Sequence, residues 1–192
     1  MRPIAVRDLD EQDIAVIAAI DGGAAWHGGE SKWRAYWHEH RQGLRVSMVA
    51  LLGEKIIGYG SLCWHSQYPP FREAGTPEIA DLVVAEGARR QGVASRLIGA
   101  CEAQARAAGR DLIGIGFGLY ADYGAAQRLY VRLGYIPDGR GLTYKNVPVA
   151  PGASARVDDD LVLWLSKSLS AHPKPPNFGG RRLVIPETNT GS

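Results

Sequence analysis

The residues with the clearest chemical potential form a transition from a strand through a turn to a helix. An apolar run ends at Val84, and Arg89 and Arg90 then precede Gly92, where an amphipathic helical pattern begins. The first N–H groups of a helix lack intrahelical partners and carry partial positive charge, so they bind anions readily. Small residues at Gly92 and Ala94 would let a phosphate approach these groups. An ordinary connection with a solvated arginine pair is the alternative interpretation.

The elements around this turn predict an α/β (α+β) fold. Strands and helices alternate in the middle of the chain, which favours parallel pairing there, whereas hairpin signals at both ends favour antiparallel pairing. We therefore expect a mixed sheet of six to seven strands with helices on both faces. The local patterns predict a helix over 30–41, a hairpin of strands 45–52 and 55–64, a loop over 65–77 and a helix from 92 to about 108.

Length and composition predict one soluble domain, which we place at residues 1–168. The 192 residues suffice for one well-buried core. The net charge is only +2 and the basic residues are scattered, so no nucleic-acid surface is expected. The five histidines are dispersed, which argues against a metal site. We find neither a secretory signal nor an apolar run near the roughly 20 residues of a bilayer span, and therefore expect a cytoplasmic protein without membrane contact.

The segment 169–192 is rich in proline and glycine and is predicted to be a tail. An arm that packs on a partner subunit is the alternative, so a homodimer stays open.

Two motifs in the chain resemble those of the GNAT superfamily of N-acetyltransferases. Residues 89–94 read R-x-x-G-x-A after a buried strand, which matches the superfamily signature Q/R-x-x-G-x-G/A. Residues 126–135 read A-x-x-L-Y-x-x-x-G-Y, which is similar to the second superfamily motif. The two motifs are in the expected order, separated by one predicted strand. The resemblance covers roughly residues 4–167 and implies a GNAT fold with a splay between the fourth and fifth strands.

The resemblance implies that acetyl-CoA is the acetyl donor. Its pantetheine arm would pair with the fourth predicted strand, and its pyrophosphate would lie on the helix N-terminus. The superfamily often has Asn where this chain has Tyr123, and a backbone group could replace that contact. The cofactor-binding residues that the resemblance implies are Leu82, Val83, Val84, Arg89, Arg90, Gln91, Gly92, Val93, Ala94, Ser95 and Gln127.

The resemblance also implies direct attack of an amine on the thioester. An alkylamine has a pKa of about 10.4 and must lose a proton before it attacks. Glu78 is the candidate base, and Asp81 is a second candidate. Simple alternation places Asp81 on the opposite face from Glu78, although a bulge would reverse that. Tyr130 is the candidate proton donor to the departing thiolate. A solvent-facing strand glutamate and a core tyrosine are the structural alternatives.

The acceptor is expected to be a small-molecule amine, because aromatic walls with an acidic group suit a cation. The predicted contacts are Trp26, Glu30, Trp33, Tyr68 and Asp81. A peptide or protein amine is the second possibility, and core tryptophans are the alternative interpretation of the aromatic residues. A non-catalytic acyl-CoA-binding regulatory module is a different class of function that residues 89–94 would also fit.

Overall fold

The structure is a computed structural model that describes residues 3–19 and 29–170. Its strands are β1 (Ile4–Asp8), β2 (Arg45–Leu52), β3 (Lys55–Cys63), β4 (Glu78–Val84), β5 (Leu112–Gly118), β6 (Ile136–Tyr144), β7 (Val147–Pro148) and β8 (Leu161–Ser168). Its helices are α1 (Glu11–Ala19), α2 (Glu30–Arg41), α3 (Pro69–Ala74), α4 (Val93–Ala107) and α5 (Gly124–Arg132).

The strands form one mixed sheet in the order β1-β2-β3-β4-β5-β8-β6-β7. This confirms the predicted fold class. Within residues 3–19 and 29–170 the sheet has eight strands. Six to seven were expected, because the two-residue β7 is too short to show a sequence pattern. Within the described ranges, no helix is long and apolar enough to cross a membrane. Residue Trp26 and the segment 171–192 lie outside the described residues.

Side-chain alternation along β2 and β3 gives the sheet an apolar core on each face. Val49 and Tyr59 face α1 and α2, where Trp33 is buried. Met48 faces α4 and packs in the same core as Leu97. The predicted helices on both faces are therefore confirmed, and each face has its own set of buried side chains.

The segment between β3 and β4 contains α3, so the predicted loop over 65–77 is wrong. Pro69 and Pro70 occupy the first turn of this helix, where a missing N–H costs no hydrogen bond. The ring of Phe71 fills the space that a side chain at Gly114 would occupy. Gly75 ends the helix with a φ of 63°. The prolines thus begin a helix that tertiary packing stabilises.

Strands β4 and β5 are parallel, but they pair over a short length. The pairs are Glu78 with Gly114 and Ile79 with Ile115. From Ala80 onward β3 is the one strand of the described residues that pairs with β4, while β5 continues beside β8. The two strands therefore diverge at the centre of the sheet, as the splay prediction required.

Candidate functional site

A β-bulge in β4 brings two carboxylates to one face of the sheet. The register against β3 shifts between Tyr59 and Ser61, which leaves one extra residue on β4. Asp81 lies in this bulge with a φ of 51°, in the left-handed region. Glu78 and Asp81 therefore both face α2. The bulge reverses the placement of Asp81 that simple alternation predicts.

Asp81 is held by a hydrogen bond and two ion pairs. The hydroxyl of Tyr36 donates to its Oδ2 at 2.6 Å, Lys32 Nζ lies 3.3 Å from Oδ1, and Arg45 Nη1 lies 3.2 Å from Oδ2. Burial opposes ionisation, but the Tyr36 hydrogen bond and the two cations outweigh it and hold the pKa of Asp81 below its ordinary value. Asp81 thus ties α2 to the bulge as an ionised group and is poorly suited to accept a proton.

Glu78 lies half-buried at the start of β4 with one oxygen atom free. The Ser66 hydroxyl donates to its Oε2 at 2.5 Å, whereas Oε1 has no hydrogen-bond partner among the described residues. Burial raises the pKa of Glu78; the Ser66 hydrogen bond and Arg45 oppose this rise, and the charge of Asp81 adds to it. Glu78 is therefore the better proton acceptor of the two carboxylates.

The turn before α4 presents backbone N–H groups without partners. Arg90 and Gly92 adopt positive φ angles of 62° and 82°. Gly92 is the N-cap, and no side chain caps the helix. Among the described residues, the first partnered N–H of α4 is that of Arg96, which donates to the Gly92 carbonyl at 3.1 Å. The N–H groups of residues 93–95, at the positive end of the helix dipole, are free to bind an anion.

The positive φ explains the glycine at position 92. A Cβ built on Gly92 meets no protein atom within 4 Å, so the space above the turn is open. At a φ of 82° any other residue would be strained. Gln91 Nε2 donates to the Gly87 carbonyl at 3.0 Å, and this hydrogen bond links the two ends of the turn. The charged side chain of Arg89 stays exposed while its Nε approaches the Val84 carbonyl at 3.4 Å.

Several predicted cofactor residues contribute backbone rather than side chain to this region. The side chains of Leu82 and Val84 pack in the core beneath α4, that of Val83 packs toward α2, and Val93 is 1% exposed. Gln127 lies on α5, and its Nε2 donates to the Gly118 carbonyl at the end of β5 at 3.3 Å. Ala94 and Ser95 are partly buried in the first turn of α4.

Tyr130 presents a hydroxyl group with no hydrogen-bond partner among the described residues. The side chain is 5% exposed, and its ring centroid lies 6.2 Å from that of Phe117 on β5. Every fully enclosed side-chain polar atom in the described part of the chain has a partner, so this hydroxyl is not fully enclosed. Burial raises the pKa of Tyr130 to about 12, and at neutral pH the group is an O–H donor.

Tyr123 replaces the asparagine that the superfamily often has. Its ring covers Gly118 at the end of β5, where a side chain would collide with it. Its hydroxyl donates to Asp159 Oδ1 at 3.0 Å, and Tyr120 donates to the same oxygen. Both tyrosines therefore tie the start of α5 to the segment before β8.

Two of the predicted acceptor contacts are core residues, which corrects the prediction. Trp33 is 2% exposed and meets Tyr59 edge to face at 4.6 Å. Tyr68 is 2% exposed and stacks on Trp164 at 4.4 Å. Helices α2 and α3 use these rings to pack against the sheet, so neither ring forms an open wall for a ligand.

The other predicted acceptor contacts differ in position. Glu30 is exposed and pairs with Arg34 one turn along α2. Asp81 is paired as described above, and Trp26 lies outside the described residues. No group of three or more His, Cys, Asp or Glu side chains in the described ranges is arranged to hold a metal ion.

No sequence motif predicts the residues that surround Glu78 and Asp81. They are Ser66, Lys32, Tyr36 and Arg45. The Ser66 hydroxyl reaches Glu78 across 12 positions of sequence, and Lys32 reaches Asp81 across 49. No motif links residues at such separations, so only the folded chain shows them together.

Comparisons with known proteins identify the family of the chain and relatives of its fold. The model of a family described as "Acetyltransferase (GNAT) family" matches residues 16–135, which is more than half of the chain. No curated protein sequence matches the chain.

Solved structures of low sequence identity share the fold. The protein yncA from Salmonella typhimurium, solved with its cofactor acetyl-CoA, has 22% identity and a TM-score of 0.63 over 90% of this chain and 98% of that chain. The ribosomal-protein-alanine N-acetyltransferase from Brucella melitensis has 17% identity and a TM-score of 0.64 over 85% and 99%. An aminoglycoside 6'-N-acetyltransferase complexed with coenzyme A has 16% identity and a TM-score of 0.60 over 88% and 99%.

Proposed function

Because the chain belongs to the acetyltransferase (GNAT) family, we propose that it transfers an acetyl group from acetyl-CoA to a primary amine. The observation that carries the proposal is the splay of β4 from β5, which lies beside the unpartnered N-terminus of α4. An extended ligand with an anionic group at one end fits such a gap.

The groups around the splay suit a CoA thioester. Among the described residues, the edge of β4 that faces β5 has no strand partner over residues 82–84, and its N–H and C=O groups match the amides of a pantetheine arm. The N–H groups of residues 93–95 suit the pyrophosphate, and Arg89 and Arg90 add positive charge at the exposed rim. Gln127 would flank the arm at the end of β5.

The two candidate catalytic side chains approach the splay from opposite faces of the sheet. Glu78 faces α2, whereas Tyr130 lies in the core shared with α4 and α5. Glu78 takes a proton from the acceptor ammonium through Oε1, and the neutral nitrogen attacks the thioester carbonyl. The C–N bond forms, the C–S bond breaks, and Tyr130 donates its proton to the departing thiolate. The second proton that the nitrogen loses as it becomes an amide passes through solvent and restores the Tyr130 hydroxyl. Backbone N–H groups of β4 would stabilise the negative charge on the carbonyl oxygen.

The proposed acceptor is a small-molecule primary amine. Glu78 is half-buried at the start of β4, so a slender amine reaches Oε1 more readily than a branched one. The lysine side chain of a peptide is equally slender, and a peptide or protein amine is therefore the second acceptor class. Asp81 is neutralised by Lys32 and Arg45, which leaves Glu78 as the acidic group that selects for a cation.

The test is release of free CoA thiol from acetyl-CoA by the purified full chain. The acceptor panel contains aliphatic amines, aminoglycosides, peptides with a free N-terminus and lysine peptides. Release that depends on small amines is expected, and release with peptides alone would move the protein to the second acceptor class. Binding of acetyl-CoA without any acceptor-dependent release would favour a regulatory acyl-CoA-binding module, and no binding would overturn the proposal.

A homodimer is a separate proposal. Exposed apolar side chains at the β6–β7 edge of the sheet, Ile136 and Val147 among them, are its support. Light scattering of the full chain over a range of concentrations tests it, and a monomer mass throughout would refute it.

A further inference from the structure

We propose that Ser66 is a positioning residue that holds Glu78 Oε2, so that Oε1 is the oxygen that receives the proton of the acceptor. The inference rests on the proposed role of Glu78 as the base. Ser66 lies between β3 and α3, outside both sequence motifs, and is 2% exposed. It is the one side chain among the described residues that forms a hydrogen bond with Glu78.

The direction of the Ser66 hydroxyl is fixed by a second hydrogen bond. The backbone N–H of Tyr68 donates to Ser66 Oγ at 3.0 Å. An amide can only donate, so the Ser66 oxygen is the acceptor there and its single hydrogen is free for Glu78 Oε2 at 2.5 Å. The carboxylate plane is thereby held through Oε2, and Oε1 is left for a ligand.

The segment that carries Ser66 is held in place by contacts of Tyr68 with strands beyond β5. The ring of Tyr68 stacks on Trp164 of β8 at 4.4 Å, and the Tyr68 hydroxyl donates to Asp138 Oδ2 of β6 at 2.7 Å. The indole N–H of Trp164 in turn donates to Thr143 Oγ1 at 2.9 Å. A change in the position of Ser66 would disturb these buried contacts, so the Glu78 carboxylate has little freedom to turn.

The other groups near Glu78 influence its charge and do not orient it. Arg45 on β2 favours the ionised form, and Asp81 on β4 opposes it. These two are paired with each other at 3.2 Å. Cys63 on β3 pairs with Glu78 across the strands, and burial raises the pKa of its thiol to about 12, so it is neutral. Ser66 alone supplies both a direct bond and a fixed direction.

The experiment measures the ionisation of Glu78 directly and then its effect on turnover. The full chain is labelled with ¹³C at glutamate carboxyl groups and titrated by NMR without acceptor, and the Glu78 signal is identified by its loss in Glu78→Gln. In Ser66→Ala the midpoint is expected to move to higher pH, because a hydrogen bond to the carboxylate favours the ionised form. Ser66→Cys keeps a weaker donor and should give an intermediate shift.

The pH profile of kcat/KM then separates positioning from simple structural support. In Ser66→Ala the acid limb should move to higher pH in parallel with the NMR midpoint, and the plateau should fall while the Kd for acetyl-CoA stays unchanged. Ser47→Ala is the matched control, because Ser47 is also 2% exposed but its hydroxyl pairs with Ser61. This variant should keep the wild-type midpoint and profile.

Two results would overturn the inference, and they are distinguishable. An unchanged Glu78 midpoint in both Ser66 variants would show that Ser66 does not hold the carboxylate, and the proposed base would be unaffected. A shifted midpoint together with full activity of Glu78→Gln would show that the bond exists but that Glu78 is not the base, so that the proposed mechanism itself fails.

Discussion

Glu78 and Asp81 stand three positions apart on β4, and the left-handed backbone of Asp81 turns both carboxylates toward α2. The two carboxylates have different partners, and their pKa values differ as a result. Asp81 is bound by Tyr36 and two cations, which lower its pKa despite burial, whereas burial raises the pKa of Glu78. Two carboxylates whose pKa values are shifted in opposite directions have distinct roles. Asp81 anchors α2 to the bulge, and Glu78 is suited to exchange protons.

Replacement of Glu78 by glutamine should abolish most of the turnover. The amide keeps the shape of the side chain but cannot take up the acceptor proton, so we expect kcat to fall by about 10²-fold or more. The Kd for acetyl-CoA should not change. In the wild type, kcat/KM should decline as the pH falls through the raised pKa of Glu78, and this limb should be missing in the variant. Undiminished turnover in steady-state assays would remove Glu78 from the mechanism.

The same Glu78→Gln variant should be more stable than the wild type at high pH. A pKa that is higher in the folded chain than in the unfolded one means that ionisation favours unfolding. This cost begins as the pH rises through the unfolded value of about 4.5 and is complete above the folded pKa. Urea denaturation near pH 5 and pH 9 should show that the free energy of unfolding is higher in the variant than in the wild type, and that this difference is larger at pH 9. A stability difference between the variant and the wild type that shrinks as the pH rises would contradict the burial argument.

Asp81→Asn should destabilise the fold without strain in the bulge. Asparagine tolerates a left-handed backbone, so the change removes only the charge that pairs with Lys32 and Arg45. We expect the free energy of unfolding at neutral pH to fall by about 1–3 kcal/mol. Because the pKa of Asp81 is depressed, its contribution is present above the unfolded value of 3.8 and is lost as the pH falls through the folded pKa. Denaturation curves should therefore converge at low pH, and equal stabilities at pH 7 would show that the ion pairs contribute nothing.

Gly92→Ala should weaken acetyl-CoA binding, and the backbone strain of an alanine at a positive φ should not account for the loss. Gly152 provides a matched control, since both glycines have a φ of 82° and no protein atom within 4 Å of a built Cβ. Either alanine should cost about 1–2 kcal/mol of stability through its left-handed backbone. Calorimetry should show at least a tenfold higher Kd in Gly92→Ala and an unchanged Kd in Gly152→Ala. Equal affinities would refute the phosphate site at the start of α4.

Tyr135→Phe should lower the stability of the fold, whereas Tyr130→Phe should lower turnover and leave stability unchanged. The Tyr135 hydroxyl donates to the buried Glu102 at 3.1 Å, and its loss should lower the free energy of unfolding by about 1–2 kcal/mol. The Tyr130 hydroxyl has no partner among the described residues, so its loss should leave the Tm unchanged. Turnover, however, should fall by about 10–100-fold in Tyr130→Phe, with little change in the Kd for acetyl-CoA. A normal kcat would make Tyr130 a core residue only.

Local patterns predicted most of the framework around the site. Helix α2 has the predicted bounds Glu30–Arg41, and the β2–β3 hairpin turns at the predicted Gly53. Periodicity and turn chemistry depend on neighbours in sequence, so both are readable from the chain alone. Strand–helix alternation predicted the parallel pairing in the middle of the sheet, and the resemblance carried by the two motifs added the splay between β4 and β5, which periodicity does not show.

Through-space contacts could not be predicted. Helix α3 depends on Phe71 packing over Gly114, and its prolines suggest a loop when read without that contact. Trp33 and Tyr68 have the residue types of a ligand wall, but the fold buries both. The free oxygen of Glu78 depends on Ser66, a serine in an unremarkable stretch of sequence. Local sequence patterns thus locate β4 and its two carboxylates. The tertiary contacts determine which carboxylate oxygen is left without a partner among the described residues.

The divergence of β4 and β5 also bears on how the chain avoids aggregation. Unpaired strand edges at the rim of a sheet recruit strands of other molecules. Here the edge of β4 that has no strand partner in the described part of the chain faces β5 of its own sheet, with α4 packed against one face. A linear molecule with its own amide groups can complete the hydrogen bonding from within the sheet, as if it were a ninth strand. Unpaired backbone groups at the rim of the sheet would favour aggregation. At the centre of the sheet the same groups favour a ligand that carries amide groups of its own.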